Sequence, residues 1–339
     1  MKALVYTGQG GPDVIQMREV ATPNAGPGEV RIKVANSGVN FADIMARQGL
    51  YPDRPALPCV MGYEVAGVVD QVGEGTDPAL LSKRLMAGTH FGGYAEYAVT
   101  KAENCMHMPD DWSFAEGASV PVAYGTAYAG LVFMAHVQPG ESLVIHSAAG
   151  GVGMAATQIG KLLGARIIGT SSKSKHVFLR RNGVDVCVDY ANEDISAIIK
   201  RETAGMGADV IFDARGGKAF KQSYVDLAVC GRLVMYGAGS IVAGEKRKIS
   251  QIFKTLTNMP KFKAMSLTNR TKSVAGLNML CMWDAWGGLG RLTRPVGPLL
   301  LEGKLRPLVH ASFKADKVGE AHSCILERKN LGKVVLDWT

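Results

Sequence analysis

The chain has 339 residues, 47% hydrophobic and 20% charged, with 41 glycines and 14 prolines. That is a globular composition sized for about two domains, and it excludes disordered, collagen-like and coiled-coil classes. Basic residues exceed acidic ones, 38 to 30, and the six scattered cysteines form no CxxC. Zinc-ribbon, ferredoxin and thioredoxin-like readings therefore drop out, and reduced thiols in a cytoplasmic setting are expected.

Met1 to Tyr6 is too short for a signal h-region, and the turn Gly8-Gln9-Gly10-Gly11-Pro12 interrupts it. The uncharged stretch from Gly117 to Gly140 has the length of a bilayer span. Pro121, Gly125, Gly130, His136 and Pro139 punctuate it, so it reads as a buried helix of a soluble protein.

The first 120 or so residues read as β-rich. Val30, Ile32 and Val34 alternate with Glu29, Arg31 and Lys33, the period of a half-buried strand. Glu64 to Val72 and Tyr94 to Val99 look like further strands, and Phe41 to Gln48 like a short helix that Gly49 ends. From Ser142 the texture changes. Strand-like runs at Leu143–His146, Arg166–Thr170, Val186–Val188, Val210–Phe212 and Leu233–Tyr236 alternate with helix-length segments. Such a series implies a parallel sheet with helices on both faces. After Gly237 the alternation fails. Ile249, Ile252, Phe253 and Leu256 have helical spacing, Ser273 to Met279 reads as a strand, Arg291 to Leu301 as a helix, and Lys333 to Asp337 as a closing strand. Head and tail are expected to form one domain around the α/β unit.

Leu143 to Gly153 carries the sharpest signal. A strand enters a small-residue turn, Ala148-Ala149-Gly150-Gly151-Val152-Gly153, which opens a helix. Gly150 lets backbone approach a pyrophosphate, and Gly153 lets helix pack on strand. The free N–H groups of the first turn then hold the anion. Ala148 replaces the first glycine of the strict motif. The end of the second strand decides which dinucleotide fits. It reads Thr170-Ser171-Ser172-Lys173-Ser174-Lys175-His176, with hydroxyls and two lysines where an acid would hold a free ribose hydroxyl. Ser171, Ser172 and Lys175 suit a 2′-phosphate, hence NADPH, with Lys173 as the alternative lysine. Ser172 also reads as an ordinary helix cap, and both roles are compatible.

Asn40-Phe41-Ala42-Asp43, Gly92-Gly93-Tyr94-Ala95-Glu96-Tyr97 and the glycine turn together resemble the zinc-independent quinone oxidoreductase branch of the medium-chain dehydrogenase/reductase superfamily. Ser174-Lys175-His176 with Asn182-Gly183-Val184, and Lys272 to Asn278, resemble the vesicle amine transport protein homologues within it. The resemblance implies an α/β protein with a GroES-like catalytic domain, split over 1–123 and 270–339, and a Rossmann domain over 124–269. It implies NADPH-dependent reduction of quinones or activated enones, as in quinone oxidoreductases or enoyl-thioester reductases, by a homodimer.

Zinc relatives in that superfamily place their catalytic ligands where this chain has Asn40, Tyr63 and a residue near Val122, so no metal is expected. By resemblance Asn40 occupies the active-site position, its bland reading being an Asx turn. Tyr51 falls where related reductases carry a tyrosine, and Tyr63 takes the lost histidine position. Asp43 reads as a brace for the Asn40 loop. The usual second tyrosine near Met45 is lacking. Further cofactor contacts follow by position: Thr126 near the nicotinamide, Tyr190 beside the adenosine, Gly237 at the end of the fifth strand, Leu277 and Asn278 at the carboxamide, and Asn330 in a closing segment with Gly332 and Lys333.

Between Lys246 and Lys272 lie eight basic residues and no acid. The run reads first as a solvated face over a packed helix, and second as a contact for anionic membrane surface or a phosphate-bearing substrate such as an acyl-CoA. No nucleic-acid motif accompanies the charge. The competing functional class is a membrane- or phospholipid-associated binding protein that retains a dinucleotide fold.

Overall fold

A computed structural model describes residues 1–339 except Pro52, Ala243 and Lys246, so the first lysine of the basic run lies outside the described residues. The chain divides into two compact units, Met1–Gly125 with Gly244–Arg247 and Met279–Thr339, and Thr126–Ala243 with Lys248–Asn278. The fold is α/β, with a GroES-like unit and a parallel-sheet Rossmann unit.

The first unit is organised by the long strand Glu29–Val39. Val30, Ile32 and Val34 are buried as their alternation requires, against Val65, Val69, Leu85 and Ala98. Each such side chain contributes about 1.5–3 kcal/mol of burial. Lys333–Asp337 pairs antiparallel on one side of this strand and Glu64–Val72 on the other. The registers Val334↔Val39 and Val65↔Ser37 set Lys333 and Glu64 at the strand's end, where Asn40 follows. A strand at Val309–Lys314 that the sequence reading missed pairs parallel with Lys333–Asp337. The expected strand from Tyr94 begins at Tyr97 instead, because Tyr94 is drawn to hydrogen-bond Met61.

The second unit holds a six-stranded parallel sheet. Its spatial order is Val186–Asp189, Arg166–Ser171, Ser142–Ile145, Ala208–Asp213, Leu227–Met235, Ser273–Gly276. This is the doubly wound order whose direction reverses beside the first strand, the place where such sheets leave a crevice. After the short helix Phe114–Gly117, the Gly117–Gly140 stretch holds one mostly buried helical run, α-helical over Pro121–Tyr128 and π-helical over Ala129–Met134. Among the described residues no helix is long and apolar enough to cross a membrane.

Two expectations change. Ser273–Gly276 pairs in parallel with Leu227–Met235 and so belongs to the second unit, and the helix Met279–Trp286 takes the place of the strand's expected end. The helix Ile249–Thr257 forms, but most of its apolar stripe is not packed: Ile252 is half-buried, while Ile249, Phe253 and Leu256 are 74%, 70% and 56% exposed. The inward side is polar, because Gln251 and Thr255 both donate to the Ser240 carbonyl, at 2.7 and 3.0 Å.

Candidate functional site

Within the first unit, Asn40 caps the helix Phe41–Arg47, and its side chain is committed elsewhere than to an Asx turn. Its Nδ2 donates to Glu64 Oε1 at 2.9 Å, and Lys333 Nζ donates to its Oδ1 at 2.5 Å. Lys333 Nζ also lies 2.6 Å from Glu64 Oε1, with the two side chains only 6% and 0% exposed. The Val122 N–H donates to Glu64 Oε2 at 2.8 Å. Glycine is needed at position 38 for this node to close, since a Cβ there would meet Glu64 Oε1 at 2.4 Å and the Ala118 carbonyl at 2.3 Å. A buried ion pair is tolerable only when its remaining polar atoms are satisfied, and here Asn40 and the Val122 N–H satisfy them.

One helical turn on, Asp43 braces the same corner. Its Oδ2 accepts from the Asn40 N–H and from Tyr94 Oη, each at 2.8 Å. Its Oδ1 is buried and has no partner. Burial raises this carboxyl to about 7, against the lowering effects of Asn40, Tyr94 and Lys333. Tyr63 is 7% exposed, its hydroxyl also without a partner. Tyr51 meets the Tyr63 ring edge-on, centroids 6.4 Å apart. Burial pushes both phenols above their ordinary range.

In the second unit the strand Ser142–Ile145 runs into the glycine turn and then the helix Gly151–Leu162. The turn closes with the Gly150 N–H donating to the Ser147 carbonyl at 3.0 Å. Its two key glycines differ in kind. A Cβ at Gly153 would lie 2.5 Å from the Ser147 carbonyl, so glycine is required there by packing. A Cβ at Gly150 would meet nothing of the chain nearer than 3.5 Å, and its φ of −80° is ordinary. Neither packing nor backbone strain requires a glycine at 150, the N-cap of this helix. Ala149 is 4% exposed, and Gly151 and Val152 are half-buried in the helix's first turn.

The turn is held from behind by a network the sequence reading missed. His146 is 1% exposed, and its ring nitrogens lie 3.2 Å from Thr170 Oγ1 and 3.4 Å from Ser223 Oγ. Burial pushes its imidazole down to about 3, so it is neutral. Ser223 and Arg215 both donate to Asp213. These side chains come from separate strand ends and a helix, and no local spacing announces them.

At the end of the second strand, Ser171 is buried and its hydroxyl donates to the Ser172 carbonyl at 3.0 Å. Ser172 sits at the cap position but makes no capping bond, its Oγ instead lying 3.3 Å from Ser174 Oγ. Lys175 is half-buried and Lys173 exposed. The structure adds an acid the linear reading did not foresee: Asp189 registers opposite Ser171 on the neighbouring strand. Its carboxylate is engaged, however, by Asn192 Nδ2 at 2.7 Å and the Ala191 N–H at 3.2 Å.

Of the remaining expected contacts, Thr126 is 5% and Tyr190 40% exposed, and the Tyr190 N–H donates to the Ser171 carbonyl. Gly237 follows the strand Leu227–Met235, and the Leu277 N–H donates to the Met235 carbonyl, which places Leu277 and Asn278 at the same sheet edge. Asn330, in the first unit, donates to the Gly332 carbonyl at 2.9 Å, while the neighbouring Lys333 turns inward to Asn40.

Comparison with known proteins agrees with this architecture. Residues 26–110 match the family described as alcohol dehydrogenase GroES-like domain, and 151–289 that described as zinc-binding dehydrogenase. The chain is 34% identical, over 99% of its length and 69% of the relative's, to the synaptic vesicle membrane protein VAT-1 homolog of Danio rerio. It is also 34% identical, over 99% of its length and 88% of the relative's, to the quinone oxidoreductase-like protein 2 homolog of Nematostella vectensis. Among solved structures it is similar to a mycobacterial protein in complex with NADPH (TM-score 0.86, 28% identity, 99% and 100% of the two chains). CurK enoyl reductase is likewise similar (TM-score 0.85, 28% identity, 99% of each chain).

Proposed function

Because the chain belongs to the medium-chain dehydrogenase/reductase superfamily, and is an oxidoreductase of that family, we propose that it transfers hydride from NADPH to a quinone or an activated enone. The observation that carries the reading is Gly150, a glycine that the chain's own packing does not need, at the N-terminus of a helix beside the reversal point of the sheet. Gly150, Gly151, Val152 and Gly153 with Ala149 would cradle the pyrophosphate. Ser171, Ser172 and Lys175 would hold the 2′-phosphate, and Thr126, Tyr190, Gly237, Leu277, Asn278 and Asn330 would line the remainder. When bound, the dinucleotide supplies the hydride. Tyr51 would orient the acceptor and steady the charge that develops on its oxygen, while Asn40, its amide held by Glu64 and Lys333, and the buried Tyr63 would shape the wall behind it.

The reaction is read as metal-independent on the chemistry of the donor set, even though the matched family is described as zinc-binding. Asn40 has both side-chain atoms bonded, to Glu64 and Lys333. The Lys333 ammonium fixed there would repel a cation, and Tyr63 and Val122 are poor zinc ligands. Reduction of a panel of quinones and enones, followed by loss of NADPH absorbance, tests the reading.

One observation favours a second reading. Ile249, Phe253 and Leu256 on one helix and Met265 on the next are exposed, in a stretch of sequence that also carries the exposed Lys248, Lys254, Lys261 and Lys263. An exposed segment that is both apolar and basic suits an anionic membrane surface. Binding to vesicles with anionic lipid and not to zwitterionic ones, lost in Phe253→Glu, tests it.

A further inference from the structure

His146 stands between two strand ends of the parallel sheet. The registers Gly169↔Ile145 and Phe212↔Ile145 put Thr170 on one side of it and Asp213 on the other. Only one arrangement of protons satisfies this row. Asp213 accepts from Arg215 Nε, Nη2 and N–H at 3.0, 2.9 and 2.8 Å, so its carboxylate is ionised and can only accept. Ser223 has a single hydroxyl proton and gives it to Asp213 Oδ2, at 2.7 Å, while its oxygen accepts from Arg215 Nη2 at 3.0 Å. Toward His146 Nε2, 3.4 Å away, Ser223 can therefore only accept, and Nε2 carries the ring proton. Burial disfavours the charged imidazole, which leaves Nδ1 a bare acceptor for the Thr170 hydroxyl, 3.2 Å away. With its proton held there, Thr170 Oγ1 turns lone pairs to the Ser147 N–H, at 3.3 Å.

The row ends on the strained corner of the glycine turn. Ser147 has a φ of 57°, in the left-handed region that a side chain disfavours. Thr170 holds this corner twice, its hydroxyl accepting from the Ser147 N–H and its carbonyl from the Ala148 N–H at 3.0 Å. The Ser147 carbonyl in turn accepts from the Gly150 N–H. Without an acceptor at His146, the Thr170 hydroxyl is free to rotate its proton toward the Ser147 N–H, donor against donor. We propose that His146 is a positioning residue for the dinucleotide: as a link of one fixed tautomer it keeps Thr170 an acceptor for Ser147, and so holds the turn in the shape in which the helix Gly151–Leu162 offers its first N–H groups to a pyrophosphate. The proposal rests on the dinucleotide-binding reading. A cradle held in shape beforehand spares the ligand the cost of ordering it.

The first test reads the ring itself, in cofactor-free protein carrying nitrogen-15 histidine. The His146 resonances, identified by their loss in His146→Asn, should show a protonated Nε2 and a bare Nδ1 at neutral pH. A protonated Nδ1, or a mixture of the two tautomers, overturns the proposal. The second test is calorimetric affinity for NADPH. Thr170→Val and His146→Leu should each weaken binding about tenfold, through loss of the bond that fixes the corner. The double variant should bind no more weakly than the poorer single one, because both changes act through one bond. Thr170→Ser, which keeps the hydroxyl, should bind within about twofold of wild type. His146→Asn, whose amide oxygen takes the place of Nδ1, should bind more tightly than His146→Leu. A role in stability alone would lower the melting temperature of Thr170→Val and His146→Leu and leave the affinity of the folded protein unchanged. That result, or losses that add in the double variant, overturns the proposal while the dinucleotide reading stands. Wild type with the expected tautomer that binds neither NADPH nor NADH would sink the dinucleotide reading, and the positioning role with it.

Discussion

Lys333 Nζ stands 2.6 Å from Glu64 Oε1 in the interior of the first unit, joining the closing strand to the edge of the strand Glu64–Val72. Removing one partner would strand the other's charge. Lys333→Met is expected to cost about 3–5 kcal/mol in urea unfolding, and the double variant with Glu64→Gln to recover more than half of that. A loss in the double variant equal to the sum of the Lys333→Met and Glu64→Gln losses would mean that the pair is not coupled.

Asp43 should make stability depend on pH. Its carboxyl moves from 3.8 to about 7 on folding, so the folded chain binds the proton more tightly. Between those values the unfolded chain ionises first, and stability is lost as pH rises. Asp43→Asn removes that loss. The variant should gain up to about 4 kcal/mol relative to wild type above neutrality and little in mild acid, by melting at several pH values. A pH-independent difference would contradict the shift.

Gly150→Asp places a carboxylate in the proposed cradle without a clash, because a Cβ there has ordinary contacts only. Calorimetric affinity for NADPH should fall at least roughly a hundredfold, near 3 kcal/mol, with melting unchanged. Gly153→Ala, by contrast, should damage the fold, because its Cβ would lie 2.5 Å from the Ser147 carbonyl.

Ser273–Gly276 is one of the two edge strands of the six-stranded sheet, with Val186–Asp189 at the other end. Unpaired edges invite a second copy, so light scattering should give twice the mass of one chain. A monomer at micromolar concentration would remove the homodimer from the account.

What the sequence made legible was local. The glycine turn could be read because strand, turn and helix follow one another within a dozen residues. The capping role of Asp43 could be read because it falls three residues after Asn40. Lys333 cannot be read as a partner of Asn40 from the sequence, because 293 residues separate them and only the strand register brings them together. Periodicity announced the helix Ile249–Thr257 but not which face is covered, since that depends on the Ser240 carbonyl drawing Gln251 and Thr255 inward. Asp189 is invisible to a linear reading because it reaches Ser171 across a sheet rather than along the chain.

The proposed choice of NADPH rests on Ser171, Ser172 and Lys175. A charge-assisted bond to the 2′-phosphate is worth about 1.5–3 kcal/mol. Lys175→Ala should therefore weaken NADPH about ten- to a hundredfold and leave NADH nearly unchanged, with Lys173→Ala as the comparison.

The most direct measurement is steady-state turnover of chelator-treated protein with 1,2-naphthoquinone and with trans-4-phenyl-3-buten-2-one, each with NADPH and with NADH. NADPH-dependent reduction of at least one acceptor, undiminished by the chelator and much weaker with NADH, is the expected result. No turnover of either acceptor, activity that returns only with added zinc, or equal use of the two cofactors would contradict the account.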